Sequence, residues 1–538
     1  MTRSNLLKPV EWIVAILLTA MTAALLAVAA THGGALWRDE CAVVQLAQMP
    51  SVSDILRNFQ HEAFPPLFPL IVRSYMLAFR SSDAALRIFG FVIGCSLVGA
   101  FWINARTLRR DLPLVGLALT VLNTTFFVWG TTVRGYGVGS ALIVLTFGCI
   151  AGWLLNPNSR RVVIATVVSV FAVQILLYNS VLVCAICGAA LLVLFFQRRF
   201  KQASLAIGIC GIALFFLLPY VPSYLRARDW NILVRGWPTS YSLWKHFEVA
   251  LGNPGYSIPA LWYCIVLGLI GLFVLRLYQK RDAQTDESAR LVWFALIACV
   301  LALIGCYAFL RILSYTTSNW YYLAFICVVA AAIDLIASVL STSNGLRLLR
   351  VAVAIVALIV APFANWSAIT ERHTDVDLAA KIVSERADAN DLVLVAPWPF
   401  GIPFNRYYHG AARWMTIPNI QDHQVHRYDL IKSKMVSEHP IDDLSQTVTA
   451  TLSSGNRVWF VGGLNLPSPR EGAMTLPPAP ASRFKWDNRA YTAAWWQQLS
   501  VLTVTHTDKI ESVSLPQPGS LRVNELEQTS LAVAQGWH

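Results

Sequence analysis

Apolar residues fall in long runs along the first two thirds of the chain, and polar residues gather in the segments between them. A helix that crosses the hydrocarbon core of a bilayer needs about 20 apolar residues. Eleven runs come near this length, at 10–30, 85–105, 112–131, 137–155, 162–178, 180–197, 203–221, 258–278, 291–311, 320–340 and 349–366. The pattern predicts a polytopic α-helical membrane protein with about 11 transmembrane helices in a domain at 1–366.

Three of these apolar stretches allow more than one interpretation. The first run ends in "AVAA" and could be a cleaved signal peptide, but the many spans after it favour an uncleaved helix. The stretch between Arg161 and Arg198 has basic pairs at both ends, which favours two short spans turning at Tyr178–Asn179 over one long helix. The apolar stretch 63–79 contains three prolines and Arg73, so we expect it to lie on the outer membrane surface or to dip into it.

The net charge of +12 comes from basic residues that are dispersed in small clusters rather than gathered in one patch. They therefore indicate membrane topology and not nucleic-acid binding. Positive charge in short loops marks the cytoplasmic side. The clusters so assigned are Arg3 with Lys8, Arg106 with Arg109 and Arg110, Arg160 with Arg161, Arg198 with Arg199 and Lys201, Lys280 with Arg281, and Arg347 with Arg350. This predicts that the long loops 31–84 and 222–257, and residues 367–538, are extracytoplasmic.

The C-terminal segment 367–538 has a different pattern. Helical stretches at 375–388 and 441–453 alternate with apolar runs of strand length at 391–397, 413–418 and 456–463. This predicts an α/β domain, and the sequence after each strand contains no phosphate-binding glycine loop. We interpret it as a lid or acceptor-docking module. His409, His423 and His426 have no metal-site spacing and are expected to be solvent-exposed.

Candidate chemistry begins just after the first span, where Asp39 and Glu40 stand in "RDE". Acidic residues there could simply stabilise the N-terminus of a surface helix. However, His61 and Glu62 follow in the same loop, and ionisable groups at a membrane interface are candidates for function.

Arginines at predicted outer ends of spans form the second feature. Arg134 lies in "TTVRGYGVGS", and Arg87 and Arg311 fall at two further outer ends. Each could be an arginine that extends its charge toward water from a helix end. Together they could also bind a lipid phosphate, because a guanidinium offers a fixed fork of donors to an oxyanion.

The ordered series of these motifs resembles the GT-C class of polyprenyl-phosphate-sugar glycosyltransferases, and within it the bacterial relatives of dolichyl-phosphate-mannose protein mannosyltransferases (families 39 and 83). The motifs are "RDE", "HEAFPPLFPLIVR", "ALRIFG", "VRGYG" and "DLVLVAPWPFGIPFNRYYHG". The resemblance implies a membrane enzyme that moves a sugar from a polyprenyl-phosphate donor to an extracytoplasmic hydroxyl with inversion. By this resemblance Asp39 is the general base, and His61 contacts the donor head group or the acceptor. Glu40 orients the acceptor or, in metal-using relatives, helps to bind a divalent cation. Arg134 and Tyr136, with Arg87 or Arg311, would bind the donor phosphate.

The resemblance leaves the acceptor open among a lipid, a glycan and a protein, and implies a bacterial inner (plasma) membrane without a nucleic-acid partner. No metal ligand set is assigned. Metal-using relatives bind a divalent cation such as Mg²⁺ or Mn²⁺, whereas the two long outer loops contain no DxD motif. Two other classes stay open: a multispan transporter, and an O-antigen polymerase or ligase that relies on the 222–257 loop.

Overall fold

The computed structural model describes residues 4–62, 64–108, 112–252, 257–279, 287–315, 317–341, 343–468, 472–480, 486–516 and 522–538. Of the predicted cytoplasmic clusters, Arg3, Arg109, Arg110, Lys280 and Arg281 lie outside the described residues.

The first part of the described chain is entirely helical. Its helices are α1 (Ser4–His32), α2 (Arg38–Ala47), α3 (Val52–Asn58), α4 (Leu67–Phe79), α5 (Asp83–Leu108), α6 (Leu114–Val121), α7 (Thr124–Trp129), α8 (Gly135–Leu155), α9 (Ser159–Ile175), α10 (Asn179–Phe196), α11 (Phe200–Phe215), α12 (Val221–Asn231), α13 (Ser240–Leu251), α14 (Ser257–Gln279), α15 (Glu287–Leu313), α16 (Leu323–Leu340) and α17 (Asn344–Ile369). The predicted domain boundary at 366 falls in the last turn of α17.

Nine segments of the described chain are long and apolar enough to cross a membrane. The chain is therefore a multi-pass membrane protein, as predicted. The other two predicted spans are also helical but shorter. The run at 112–131 is divided into α6 and α7 because Asn123 caps α7, its side-chain oxygen accepting the N–H of Phe126 at 2.8 Å. The run at 162–178 corresponds to α9, which has 17 residues.

Two of the three ambiguous stretches, 162–197 and 63–79, contain helices. Separate helices α9 and α10 meet near Tyr178, so the interpretation as two segments is correct. The proline-containing stretch forms α4, whose 13 residues extend only about 20 Å. That length is too short to cross a bilayer, and the surface location of α4 stays a prediction.

The C-terminal part contains α18 (Val376–Arg386), β1 (Leu392–Val395), α19 (Gly401–Tyr407), β2 (Arg413–Thr416), α20 (Tyr428–Met435), α21 (Asp442–Ser453), β3 (Val458–Val461), α22 (Asn488–His506), β4 (Lys509–Val513) and β5 (Leu531–Gln535). The strands form one sheet in the order β2-β1-β3-β5-β4. The first three are parallel, and β5 and β4 are antiparallel to their neighbours.

Both faces of this sheet are covered by helices. Leu392 and Leu394 pack toward α20, α21 and α22, whereas Val393 and Val395 pack toward α18 and α19. A parallel strand buried on both faces reads as a continuous apolar run, which is why "LVLV" was recognisable in the sequence. The prediction of a helical membrane protein with a C-terminal α/β domain is confirmed.

The C-terminal domain docks onto the segment between α1 and α5. The hydroxyl of Tyr407 accepts the N–H of Leu36 at 2.7 Å and donates to Asp83 at 2.8 Å. Gln45 of α2 donates to the carbonyl of Ile402 at 3.1 Å. Helix α19 is thereby held against α2, so the C-terminal domain lies on the side of the bundle that carries Asp39 and Glu40.

Candidate active site

The acidic pair after the first span lies in the first turn of α2, and its two carboxylates face different surroundings. Successive residues on an α-helix point about 100° apart. Asp39 keeps 17% of its side chain exposed, whereas the side chain of Glu40 is fully buried. The pair therefore divides into one accessible and one internal carboxylate.

Glu40 binds buried partners on every side. Its oxygens accept from the Arg87 guanidinium at 3.1 Å, from the N–H of Val133 at 2.9 Å and from the N–H of Trp37 at 3.2 Å. His373 of the C-terminal domain is 3.6 Å away. Burial would raise the pKa of Glu40, but Arg87 and His373 outweigh it and lower the pKa to about 2. Glu40 is therefore ionised and connects α2 to α5, to residue 133 and to the C-terminal domain.

The hydrogen-bond donors of Arg87 are likewise occupied by protein acceptors. Besides Glu40, its N–H groups donate to the carbonyl of Gly34 at 3.1 Å and to that of Ala35 at 2.6 Å, with Gly33 at 3.5 Å. No donor is left for a phosphate, and no oxygen of Glu40 is left for an acceptor. The structure thus disfavours the predicted donor-binding role of Arg87 and the acceptor-orienting role of Glu40, because each has its partners within the protein.

Asp39 belongs to a second charged group, which we call the ion-pair ring: Asp39, Arg134, Glu62 and His426. Arg134 Nη1 is 2.9 Å from Glu62 Oε2, and its Nη2 is 3.7 Å from Asp39 Oδ2. His426 Nδ1 is 2.8 Å from Glu62 Oε1, and its Nε2 is 3.4 Å from Asp39 Oδ1. Two anions and two cations alternate around the ring, joining α2, the start of α8, the residue before the proline segment and the C-terminal domain.

The ring is asymmetric. Glu62 is buried and makes both short contacts, and it also accepts the backbone N–H of His426 at 3.1 Å. Asp39 makes the two long contacts and is the most exposed member. Glu62 therefore anchors the two cations, while Asp39 faces them with a partly exposed side chain.

The protonation states follow from these contacts. Both ring nitrogens of His426 face carboxylates, and although burial opposes it, Glu62 and Asp39 raise the pKa of His426 to about 9. Burial also acts to raise the pKa of Asp39, but Arg134, His426 and Arg38 outweigh it and hold that pKa well below its usual range. At neutral pH Asp39 is a carboxylate and His426 an imidazolium.

Arg134 differs from Arg87 in having unused donors. It precedes the first residue of α8, where it donates to Glu62 and to the backbone carbonyl of Asp39 at 3.1 Å. Its Nε is buried and makes no hydrogen bond to any residue that the structure describes. The guanidinium lies 4.3 Å over the Phe64 ring, and Tyr136 packs against the same ring at 5.6 Å. Arg134 is thus fixed in position with hydrogen-bonding capacity left.

The other predicted site residues lie elsewhere. The ring of His61 stacks on Trp230 at 5.2 Å, and its Nδ1 is 3.9 Å from Asp429. Arg311 donates to the carbonyl of Pro238. Within the described part of the chain, the polar contacts of both residues are outside the ion-pair ring.

Sequence reasoning missed two members of the ring. Glu62 was noticed beside His61 but received no role. His426 was expected to be solvent-exposed, and this is wrong because the residue is buried, whereas His409 is exposed. A signal for Glu62 exists in the sequence, since it precedes the rigid "FPP" in a loop that already carries an acidic pair. His426 gives no such signal, because its partner Glu62 is 364 residues away.

Arg38 extends the charged group on the other side of Asp39. Its Nε donates to Asp39 Oδ1 at 3.3 Å, and its Nη2 is 3.4 Å from Glu527. Glu527 is buried, and burial raises its pKa to about 7 even though Arg38 acts to lower it. Glu527, a carboxyl group that titrates near neutrality, is therefore connected to Asp39 through Arg38.

A divalent cation fits this arrangement poorly. Among the described residues, no group of three or more His, Cys, Asp or Glu side chains is placed to hold a metal ion. The accessible carboxylate, Asp39, already faces Arg38, Arg134 and His426. A metal ion there would add positive charge beside three cations, so the residues at this site do not favour a bound metal ion.

No protein-family model matches the sequence, and no curated protein matches it. Solved structures with a similar chain path include ArnT from Cupriavidus metallidurans bound to undecaprenyl phosphate, with 10% identity and a TM-score of 0.48 over 84% of this chain and 92% of that chain. They also include the Archaeoglobus fulgidus oligosaccharyltransferase tethered with an acceptor peptide, with 11% identity and a TM-score of 0.41 over 92% of this chain and 73% of that chain. Another structure of that oligosaccharyltransferase, in complex with Zn and sulfate, has a TM-score of 0.46 at 11% identity, over 96% of this chain and 73% of that chain. These are enzymes of the GT-C class that the sequence resembles. Since the TM-scores are below 0.5, the chemistry assigned to this chain rests on its own side chains.

Proposed function

We propose that this protein is a membrane glycosyltransferase that moves a sugar from a polyprenyl-phosphate donor to a hydroxyl of an extracytoplasmic acceptor, with inversion at the anomeric carbon. The observation that carries the proposal is the ion-pair ring. It presents one accessible carboxylate, Asp39, beside one arginine with unused donors, Arg134, at the end of an apolar helical bundle. This is the minimum that transfer from a lipid phosphate requires, because the phosphate is already a leaving group.

In the proposed reaction, Asp39 accepts the proton of the acceptor hydroxyl. The hydroxyl oxygen forms a bond to the anomeric carbon while the bond from that carbon to the phosphate oxygen breaks. The electron pair of the broken bond stays on the polyprenyl phosphate, and the free N–H groups of Arg134 stabilise the growing negative charge. A single displacement inverts the configuration, by the stereochemical logic of single-displacement glycosidases.

The low pKa of Asp39 is compatible with this role. Its carboxylate stays ionised at any physiological pH, although it is a weak base for a free hydroxyl. The acceptor oxygen becomes more acidic as its bond to the anomeric carbon forms, so proton transfer becomes favourable during bond formation. Glu62 takes a positioning role, because it holds Arg134 and the imidazolium of His426 on either side of Asp39.

The proposal also assigns the sides of the membrane. The loop after α1, the start of α8 and the C-terminal domain meet in the ion-pair ring, so they share one side of the bundle. The short basic loops assign the other side to the cytoplasm. We therefore infer that the ion-pair ring and the domain face the extracytoplasmic side of the inner membrane.

The test is a transfer assay with the full chain in nanodiscs, using radiolabelled polyprenyl-phosphate sugars and envelope extract as acceptor source. Wild type is compared with Asp39→Asn and with Asp442→Asn, which changes an exposed carboxylate on α21. We expect label to move from the lipid into an extractable acceptor in wild type and Asp442→Asn, and to fall by 10² to 10⁴ in Asp39→Asn. Full transfer by Asp39→Asn refutes the base assignment. Accumulation of donor inside sealed vesicles without any transfer points to a transporter instead.

A further inference from the structure

A second polar site lies between the two parts of the molecule, outside the ion-pair ring. It is a cleft with a volume of about 520 Å³. One wall follows α2 and includes α3, with Met49, Pro50 and Asn58. The other belongs to the C-terminal domain, with Asn405 of α19 and residues 421–424 before α20. Its volume lies within the range of small-molecule and glycan sites.

The lining is rich in side-chain amides. Gln421 and Gln424 are exposed, and their amides make no hydrogen bond to another residue that the structure describes. Asn58 and Asn405 use their N–H₂ groups on the carbonyl of Asp54 and on Gln45. The cleft therefore offers two complete amides and further carbonyl oxygens to a ligand.

The charges of the lining restrict that ligand. Asp54 and Asp422 are the charged residues that line the cleft, and no Lys or Arg is among its described lining residues. Asp54 binds Ser51, and Asp422 pairs with Arg427, so both carboxylates are fixed in the walls. The described lining offers no Lys or Arg side chain to bind a phosphate, so the cleft disfavours the head group of a lipid-linked donor. Amides and carboxylate oxygens instead match the donors and acceptors of sugar hydroxyls.

The position of the cleft connects it to Asp39. Helix α2 begins beside Asp39 and ends just before Met49, so ten residues at 1.5 Å each separate the two by about 15 Å. On the other wall, Gln424 is two residues from His426, whose side chain is 3.4 Å from Asp39. The cleft therefore lies at a distance from Asp39 that a chain of several sugar units spans.

We propose that this cleft is a carbohydrate subsite that binds a neutral part of the acceptor glycan, away from the hydroxyl that reacts. The proposal rests on the transferase function and deepens it, since it selects a glycan-bearing acceptor over a peptide or a simple lipid. Binding of sugar at the cleft does not require turnover, so the two proposals can fail separately.

The first experiment measures binding without donor. Saturation-transfer NMR is recorded on the full chain in nanodiscs with a panel of neutral trisaccharides of glucose, galactose and mannose. We expect at least one probe to receive saturation from wild type and from Gln446→Ala, an exposed amide on α21 outside the cleft. The double variant Gln421→Ala/Gln424→Ala should bind it about tenfold more weakly, because two hydrogen bonds are lost.

The second experiment measures transfer. The double variant should raise the acceptor KM about tenfold and leave the donor KM and kcat unchanged. The proposal is overturned if no neutral trisaccharide binds, if the double variant binds as well as Gln446→Ala, or if the labelled product is a protein without glycan. If trisaccharide binding depends on the cleft but no donor is consumed, the subsite stands and the transferase function fails.

Discussion

The neighbours Asp39 and Glu40 should respond to the same chemical change in opposite ways. Glu40→Gln removes the negative charge that compensates the buried guanidinium of Arg87 and the nearby His373. Breaking a buried pair in this way typically costs about 3–5 kcal/mol. Asp39→Asn removes a partner whose contacts to Arg134 and His426 are 3.7 and 3.4 Å, while both cations keep Glu62 at 2.9 and 2.8 Å. We expect that loss to be smaller than the loss in Glu40→Gln, because both cations keep a short contact to Glu62.

The assay combines thermal unfolding with sugar transfer on the same preparations. Glu40→Gln should lower the melting temperature by several degrees and reduce activity in proportion to the folded fraction. Asp39→Asn should lower the melting temperature less than Glu40→Gln does and should lose transfer by 10² or more. The double variant Glu40→Gln/Arg87→Met should recover part of the lost stability, because it removes both buried charges. The reasoning is refuted if Asp39→Asn destabilises as much as Glu40→Gln, or if Glu40→Gln is stable and inactive.

Three further results are expected. Stability should decrease as pH rises, because the pKa of His426 is about 9 in the folded protein and near 6.5 in the unfolded chain. The resulting stabilisation, on the order of 3 kcal/mol, is complete below pH 6.5 and is lost as the pH rises through 9. Melting curves from pH 6 to 10 should show this decrease in wild type and not in His426→Gln. Glu62→Gln should reduce kcat by about 10² and lower the melting temperature, because Arg134 and His426 lose the carboxylate that holds them. A variant with the wild-type kcat and melting temperature would contradict this anchoring role. Arg134→Lys keeps the charge but not the fork of donors, so kcat should fall at least tenfold, and steady-state kinetics with unchanged turnover would remove Arg134 from phosphate stabilisation.

The membrane part was predictable because its signal is local. Each apolar run stands alone in the sequence, and all eleven proved helical. The break between α6 and α7 was not predicted, although Asn123 is a common N-cap residue, because its amide also depends on the carbonyls of Ala250 and Leu251, which are distant in sequence. In the C-terminal domain, the buried parallel strands were visible as apolar runs. Strand β4 was missed because it lies at the sheet edge with mostly exposed residues, and so reads as a polar segment.

The candidate site was only half predictable, because the contacts that distinguish its residues are not local in the sequence. The sequence places charged residues at interfaces, but it does not show which of two adjacent carboxylates is buried. Asp39 and Glu40 are separated by one helical step and end in different environments. Similarly, Arg87 and Arg134 look alike at the ends of spans. Only the structure shows that the donors of Arg87 are consumed by Glu40 and backbone carbonyls, whereas the Nε of Arg134 is unused within the described residues.

The charge balance of the ion-pair ring makes the C-terminal domain part of the site rather than a cover over it. With His426 docked, two carboxylates face two cations, and the ring is neutral. Without the domain, Glu62 would lose His426 and keep Arg134 as its cation, while Asp39 would pair with Arg38 and Arg134. In the proposed reaction, Arg134 would then have to hold both carboxylates and also face the leaving phosphate. By this proposal, His426 gives Glu62 a second cation so that Arg134 can also face the leaving phosphate, which accounts for a buried histidine of the C-terminal domain contacting both Glu62 and Asp39.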